Sequence, residues 1–225
     1  MITFSEVEDR VIEAHGSVEH LPYELAKPLT RQDILSLDDE VFLSALSKVV
    51  FQVGFNWSVI EKKWPDFERH FFGFNLNRCA MISDEELESI MATGETMKHW
   101  KKMSSVVNNA QWLKQRRDEH GSLGAFFGAI KPDAYFENVV QLQKQGDRTG
   151  AKTVQLWLRR IGVDSVVLSQ DVVDALLRYG VVDKPPSSVT SLRALQAPFD
   201  QWREETGESL TYLSQMLAFS LGPKR

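Results

Sequence analysis

The chain has 225 residues, 43% of them hydrophobic, enough to bury a sizeable core and too many for a disordered or purely electrostatic polypeptide. Its 26 Lys and Arg against 31 Asp and Glu leave a formal charge of -5, which excludes nucleic-acid binding through average charge though not through a local basic patch. A single cysteine, Cys79, excludes a disulfide framework and nearly excludes cysteine-based zinc sites.

In chain order, Phe4, Val7, Val11 and Ile12 predict a short helix over residues 4–15. Residues 16–30, with Gly16, Pro22 and Pro28, read as loop, and Thr30 followed by Asp33 reads as a helix start. From Asp38 to about Val53 the apolar positions are dense over a length that suits a buried helix, since a strand normally ends after about 4–8 residues. Gly54 marks a tight turn, and Asn56 can cap the next helix. Pro65 and Gly73 bracket a short helical piece ending in Phe-Phe-Gly-Phe. Ser83 and Glu86 form a capping-box pair ahead of Leu87, Ile90 and Met91, and Gly94 closes that helix. Residues 97–116 predict a helix through Trp100, Met103, Val106, Ala110 and Leu113, ended by His120-Gly121. After a short apolar element at Phe126, Phe127 and Ile130, helices are expected at 133–143, 150–161 and 171–179. Past the Pro185–Ser188 break two more follow, at about 190–206 and 209–220. No segment alternates as a strand does, so the fold class is all-α, in one globular unit spanning 1–225. The chain shows no membrane span and no secretory signal, and with its one free cysteine it is expected to be cytoplasmic.

Two segments carry chemistry of their own. Residues 142–162, LQKQGDRTGAKTVQLWLRRIG, resemble a helix-hairpin-helix DNA-binding element of the form Leu-Pro-Gly-x-Gly-x-x-Thr-Ala. Leu142, Gly146 and Thr149 match, while Gln143, Lys144 and Gly150 replace the proline, first glycine and alanine. Gly146 is expected to take a left-handed turn, and the N–H groups of the hairpin and the next helix start can face a phosphate. Lys144, Arg148, Lys152, Arg159 and Arg160 against Asp147 make a local excess of four positive charges. The plain alternative is an ordinary helical turn with a solvated face. Asp171 then opens a helix about twenty residues on. A carboxylate there is kept ionised by first-turn N–H groups, and beside C1′ of a deoxyribose it would stabilise a developing oxocarbenium. Alternatively Asp171, or Ser169, merely caps the helix.

A third set of residues gives a specific resemblance. Gln52, Gly54, Phe55 and Trp57 follow the pattern Gln-x-Gly-[Leu/Phe]-x-Trp. A lysine-rich helix, a Phe-rich turn and an acidic helix come next, and then Lys102, Met103, Asn109 and Ala110 in the form Lys-[Ile/Met]-x-x-x-x-x-Asn-Ala. From about residue 38 to 180 the chain resembles the DNA-3-methyladenine glycosylase I family of the helix-hairpin-helix DNA glycosylase superfamily. The resemblance implies a helix-hairpin-helix DNA glycosylase-like fold with its core at 38–180 and helical extensions at 1–37 and 181–225. It also implies a monofunctional DNA glycosylase of base excision repair. Such an enzyme hydrolyses the N-glycosidic bond of an alkylated purine in duplex DNA after flipping the base into an aromatic pocket. On this resemblance Trp57 stacks on the base, with Phe51, Phe55 and His99 beside it, and Asp171 is catalytic. Lys102, Lys144, Gly146, Arg148, Thr149, Gly150 and Lys152 then face DNA.

The chain departs from the family in three ways. Val49 stands eight residues before the tryptophan, where the family places its base-recognising glutamate, and no carboxylate lies between Glu40 and Glu61. The family's zinc staple of two Cys and two His cannot be assembled around Cys79, and His15 and His20 have no cysteine beside them, so neither metal nor cofactor is expected. Where bifunctional relatives place a Schiff-base lysine, this chain has Gln155 and Trp157. Val49 keeps open a second reading, a non-catalytic protein that binds damaged or bent DNA. No obligate protein partner is implied.

Overall fold

The computed structural model describes residues 2–222. The outermost positions of the two expected extensions, residue 1 and residues 223–225, lie outside the described residues. Every regular element among the described residues is helical. In order these are α1 (Phe4–His15), α2 (Arg31–Leu35), α3 (Asp39–Gln52), α4 (Trp57–His70), α5 (Leu76–Cys79), α6 (Asp84–Ala92) and α7 (Trp100–His120). They continue as α8 (Leu123–Gly128), α9 (Tyr135–Leu142), α10 (Ala151–Arg160), α11 (Gln170–Arg178), α12 (Val189–Ala194), α13 (Gln196–Thr206) and α14 (Leu210–Phe219).

Most starts follow from capping chemistry. Thr3 with Glu6 and Thr30 with Asp33 form reciprocal capping boxes, and the Asn56 side chain accepts from Ser58 N. Ser83 accepts from Glu86 N, the forward half of the box read from sequence. Three expectations about boundaries are corrected. Pro65 does not delimit a separate piece but lies inside α4, whose other helical bonds carry the chain past the missing N–H. The helix expected from residue 97 begins at Trp100, because Lys63 Nζ holds the carbonyls of Gly94 and Glu95 at 2.9 and 2.7 Å in a loop conformation. Residues 190–206 form two helices that meet at Leu195.

The core centres on α3, which buries Phe42, Leu43, Leu46, Val49, Val50 and Phe51 and packs against α4, α7 and α10. Trp157 of α10 donates its indole N–H to the Phe42 carbonyl at 3.0 Å, tying the helix after the hairpin to the central one. Trp64 and Phe67 of α4 stack with Phe71 and Phe74 in a closed group of four rings. The thiol of Cys79 donates to the Phe71 carbonyl in this layer. At the other end α14 packs on α1, α11 and α13, and Glu205 of α13 accepts from the backbone N–H of Phe4 at 2.8 Å. Helix α7 packs on α3, α5 and α8 and reaches both the α3–α4 turn, through Lys102, and the hairpin, through Asn109, which decides the geometry of the site.

Candidate active site

Two loops face one cavity of about 500 Å³. The first is the α3–α4 turn, where Gly54 adopts φ 77°, a left-handed conformation that L side chains rarely take. This turn sets Trp57 as the first residue of α4, with 54% of its surface exposed. The second is the hairpin between α9 and α10, whose residues 150–153 form the opposite wall. Val49, Gln52 and Leu156 line the interior. The structure therefore brings Trp57 together with Gly150 and Lys152, residues about a hundred positions apart in sequence.

The hairpin owes its shape to small residues and to one buried amide. Asn109, 1% exposed on α7, donates to the Asp147 carbonyl at 3.0 Å and accepts from the Asp147 N–H at 2.8 Å. Thr149 is buried and donates its hydroxyl to the Gly146 carbonyl at 2.7 Å. The left-handed residue is Arg148, at φ 60°, and not Gly146, which corrects the sequence reading. Gly146 is needed for space: a Cβ there would lie 2.6 Å from Thr149 Cγ2 and 3.1 Å from Asn109 Oδ1. Gly150 caps α10 without a side-chain bond, so the first N–H groups of that helix keep no side-chain partner at the cap. Lys144, Arg148 and Lys152 are exposed around this N-terminus. Arg159 and Arg160 do not join them. Arg159 is committed to Ser165 and Ser214, and Arg160 donates to Gln52 Oε1 at 2.9 Å.

Several residues assigned from sequence have other surroundings. Phe51 is fully buried, its ring 4.5 Å from that of Phe67, so it is a core residue and not a pocket wall. Phe55 lies off the cavity, edge-on to the His99 ring at 6.1 Å. His99 itself caps α7 by position, with no side-chain bond to the helix start. Lys102 is not a solvated DNA contact. It is 5% exposed, and its ammonium donates to the carbonyls of Phe51 and Val53 at the end of α3 while lying 4.4 Å from the centre of the Phe55 ring. Burial, with a smaller contribution from Arg148, pulls its pKa below the ordinary lysine value. Asp171 lines a different cavity, with His15, His20, Tyr23 and Phe219, which shares no residue with the Trp57 cavity. The hydroxyl of Ser169 caps α11 by accepting from Val172 N, and Asp171 sits in the first turn behind it. The residue expected to serve catalysis thus lines a cavity separate from the one that holds Trp57.

Sequence reading missed Val53, Ala151, Thr153 and Leu156 as cavity residues. For Ala151, Thr153 and Leu156 the place on one helix after Gly150 was the available signal, but only the approach of α3, which brings Val53, makes that face a wall. The cavity wall holds no carboxylate. Glu61, one turn beyond Trp57, accepts from Gln52 Nε2 at 3.0 Å and pairs with Lys48 at 2.6 Å. A zinc staple does not fit these residues: Cys79 is buried with its pKa pushed up to about 12, chiefly by burial. Among the described residues no group of three or more His, Cys, Asp or Glu is placed to hold a metal ion.

An all-helical body, a hairpin that presents a helix N-terminus, and a cavity beside it walled by Trp57 match the architecture of the helix-hairpin-helix DNA glycosylases. Solved structures agree on that fold. The chain is similar to 3-methyladenine DNA glycosylase I from Staphylococcus aureus at 20% identity and a TM-score of 0.51, over 68% of this chain and 91% of that one. It is similar to the Methanocaldococcus jannaschii 8-oxoguanine glycosylase/lyase at 13% identity and TM-score 0.53, over 96% and 89%. The 8-oxoguanine DNA glycosylase of Thermotoga maritima aligns at 17% identity and TM-score 0.50, over 95% and 88%. No curated protein sequence matches the chain. Residues 34–167, more than half of the chain, match the methyladenine glycosylase family, and the chain belongs to that family.

Proposed function

We propose that this glycosylase flips an alkylated, cationic purine out of duplex DNA and stacks it on Trp57 while the hairpin holds the backbone. The observation that carries this reading is the shared cavity: the exposed indole and the N-terminus of α10 face the same space. The N–H groups behind Gly150, with Lys144, Arg148 and Lys152, suit a phosphate. A purine alkylated on N3 or N7 already carries positive charge and leaves as a neutral base, so the chemistry needs no general acid on the cavity wall. Water completes the hydrolysis at C1′, leaving an abasic site. No amine forms a covalent intermediate in this scheme: Gln155 accepts from Leu168 N, and Trp157 is tied to Phe42. Asp171 has no part in it.

We further propose that the chain works as one unit, with 1–37 and 181–225 packed as extensions on a 38–180 core, a reading supported by the Leu29 N–H donating to the Gly162 carbonyl and the Thr211 N–H donating to the Asp164 carboxylate, each at 2.8 Å. A cytoplasmic location belongs to the same proposal; among the described residues no helix is long and apolar enough to cross a membrane. The test is incubation with alkylated genomic DNA and chromatography of the released bases. Stacking on an aromatic is worth about 1–3 kcal/mol per base, so Trp57→Ala is expected to lower kcat/KM by roughly 5–150-fold without unfolding a protein in which this side chain is half exposed. Undiminished excision by Trp57→Ala refutes the assignment. The missing wall carboxylate favours a second reading, a non-catalytic binder of damaged or bent DNA. Tight salt-dependent binding without base release would establish that one instead.

A further inference from the structure

Resting on the proposed excision of cationic purines, the site's walls and volume say which of those purines it takes. A cavity that selects one base does so with hydrogen-bonding groups aimed at that base's edge. Such groups discriminate by about 10⁴–10⁵, whereas an apolar wall discriminates a methylene by only about 10–200-fold. Here the interior wall offers Val49, Leu156 and the Trp57 face, and no carboxylate. The one amide, Gln52, is already engaged at both ends: Arg160 donates to its oxygen at 2.9 Å, and its nitrogen donates to Glu61 at 3.0 Å. No carboxylate and no free amide is therefore left to read the base edge, and the remaining polar side chains of the lining are Lys152 and the Thr153 hydroxyl.

Space points the same way. About 500 Å³ is within the range that drug-sized ligands fill and exceeds what a purine of roughly ten non-hydrogen atoms needs. Val53, Gly150 and Thr153 are walls of both this cavity and a neighbouring one of about 320 Å³, which Lys102 and Arg148 also line. Gly150, shared by the two cavities, carries no side chain, and a Cβ built there meets nothing within 4 Å. An alkyl group larger than methyl thus has somewhere to go, and one carrying an oxygen acceptor meets the exposed Arg148 guanidinium.

We infer that the site selects substrates by the lability of the leaving base and not by its edge, so that it excises N3- and N7-alkyl purines alike, including those whose alkyl group is larger than methyl. In each case the C1′–N bond breaks with its electron pair moving to the ring nitrogen, which neutralises the base. Water oxygen bonds to C1′, and the displaced proton passes to solvent.

The experiment uses the full chain and two preparations of genomic DNA, one methylated and one hydroxyethylated. Each released base is measured by chromatography, and each rate is divided by its spontaneous rate. The expected result is enhancement of 3-methyladenine, 7-methylguanine and 7-(2-hydroxyethyl)guanine within about tenfold of one another. Enhancement of 3-methyladenine more than about 100-fold above the other two overturns the inference while leaving the proposed function intact. Absence of any released base overturns both. Gly150→Leu supplies a second arm: φ -60° and ψ 160° suit any residue, so the variant is expected to fold. It should reduce release of the hydroxyethyl base at least about tenfold more than release of the methyl bases. An equal reduction of all three refutes the route for the larger group.

Discussion

Replacing Asn109 with alanine is expected to loosen the hairpin from the body of the protein. The amide is 1% exposed and makes two bonds to one residue, 3.0 Å to the Asp147 carbonyl and 2.8 Å from its N–H. Truncation removes both and leaves two backbone groups unpaired. A net hydrogen bond contributes about 1 kcal/mol, and an unsatisfied buried group costs about 1–3 kcal/mol. Asp147 is partly exposed, so water recovers some of this, which sets the expected loss at about 2–3 kcal/mol. Against a typical total of about 5–15 kcal/mol the variant stays folded, and urea unfolding should show a lower midpoint with an unchanged slope. Because the hairpin presents the α10 N-terminus, affinity for duplex DNA, read by fluorescence anisotropy at fixed salt, should fall at least about tenfold, more than the loss of global stability alone would produce. A loss below about 0.5 kcal/mol together with unchanged DNA affinity would show that Asn109 does not hold the hairpin.

Lys102→Met keeps length but leaves the Phe51 and Val53 carbonyls without their donor, and should cost about 1–3 kcal/mol in urea unfolding. A stable variant with weakened DNA binding would instead make Lys102 a phosphate contact. Lys144, Arg148 and Lys152 are expected to set a slope of log affinity against log salt of about -2.7, and Lys152→Ala should flatten it by about 0.9. A slope unaffected by all three substitutions would place the DNA elsewhere. Cys79 is buried with its pKa raised to about 12, so at pH 8 almost no thiolate forms, and a thiol reagent should label the native protein only at the rate of unfolding. Rapid stoichiometric labelling would contradict its place in the core.

Much was legible along the chain because it depends on neighbours within a turn or two. Apolar spacing and caps such as Thr30, Asn56 and Ser83 located most helices, and the absence of alternating segments set the all-α class. Trp57 was legible as a candidate because the Gln-x-Gly-Phe-x-Trp run is local. Its exposure on a cavity was not legible, because that depends on how α3, α4 and α10 approach one another.

Local pattern also misassigned residues whose environment is set from afar. Phe51 and Trp57 are both aromatics of one segment, yet packing against Phe67 puts the first in the core and the Gly54 turn leaves the second exposed. Lys102 looks like a solvated helix residue until the end of α3 arrives over it and turns its ammonium into a cap. Asp171 begins a helix as expected, but the packing of α11 on α14 carries its carboxylate to a cavity walled by His15 and Phe219. By itself the sequence determined the helices, the hairpin and the family, since periodicity, capping and motif spacing are short-range. Only the tertiary structure decided which side chains share the cavity, because that follows from α7 bridging the α3–α4 turn and the hairpin across residues far apart in the chain.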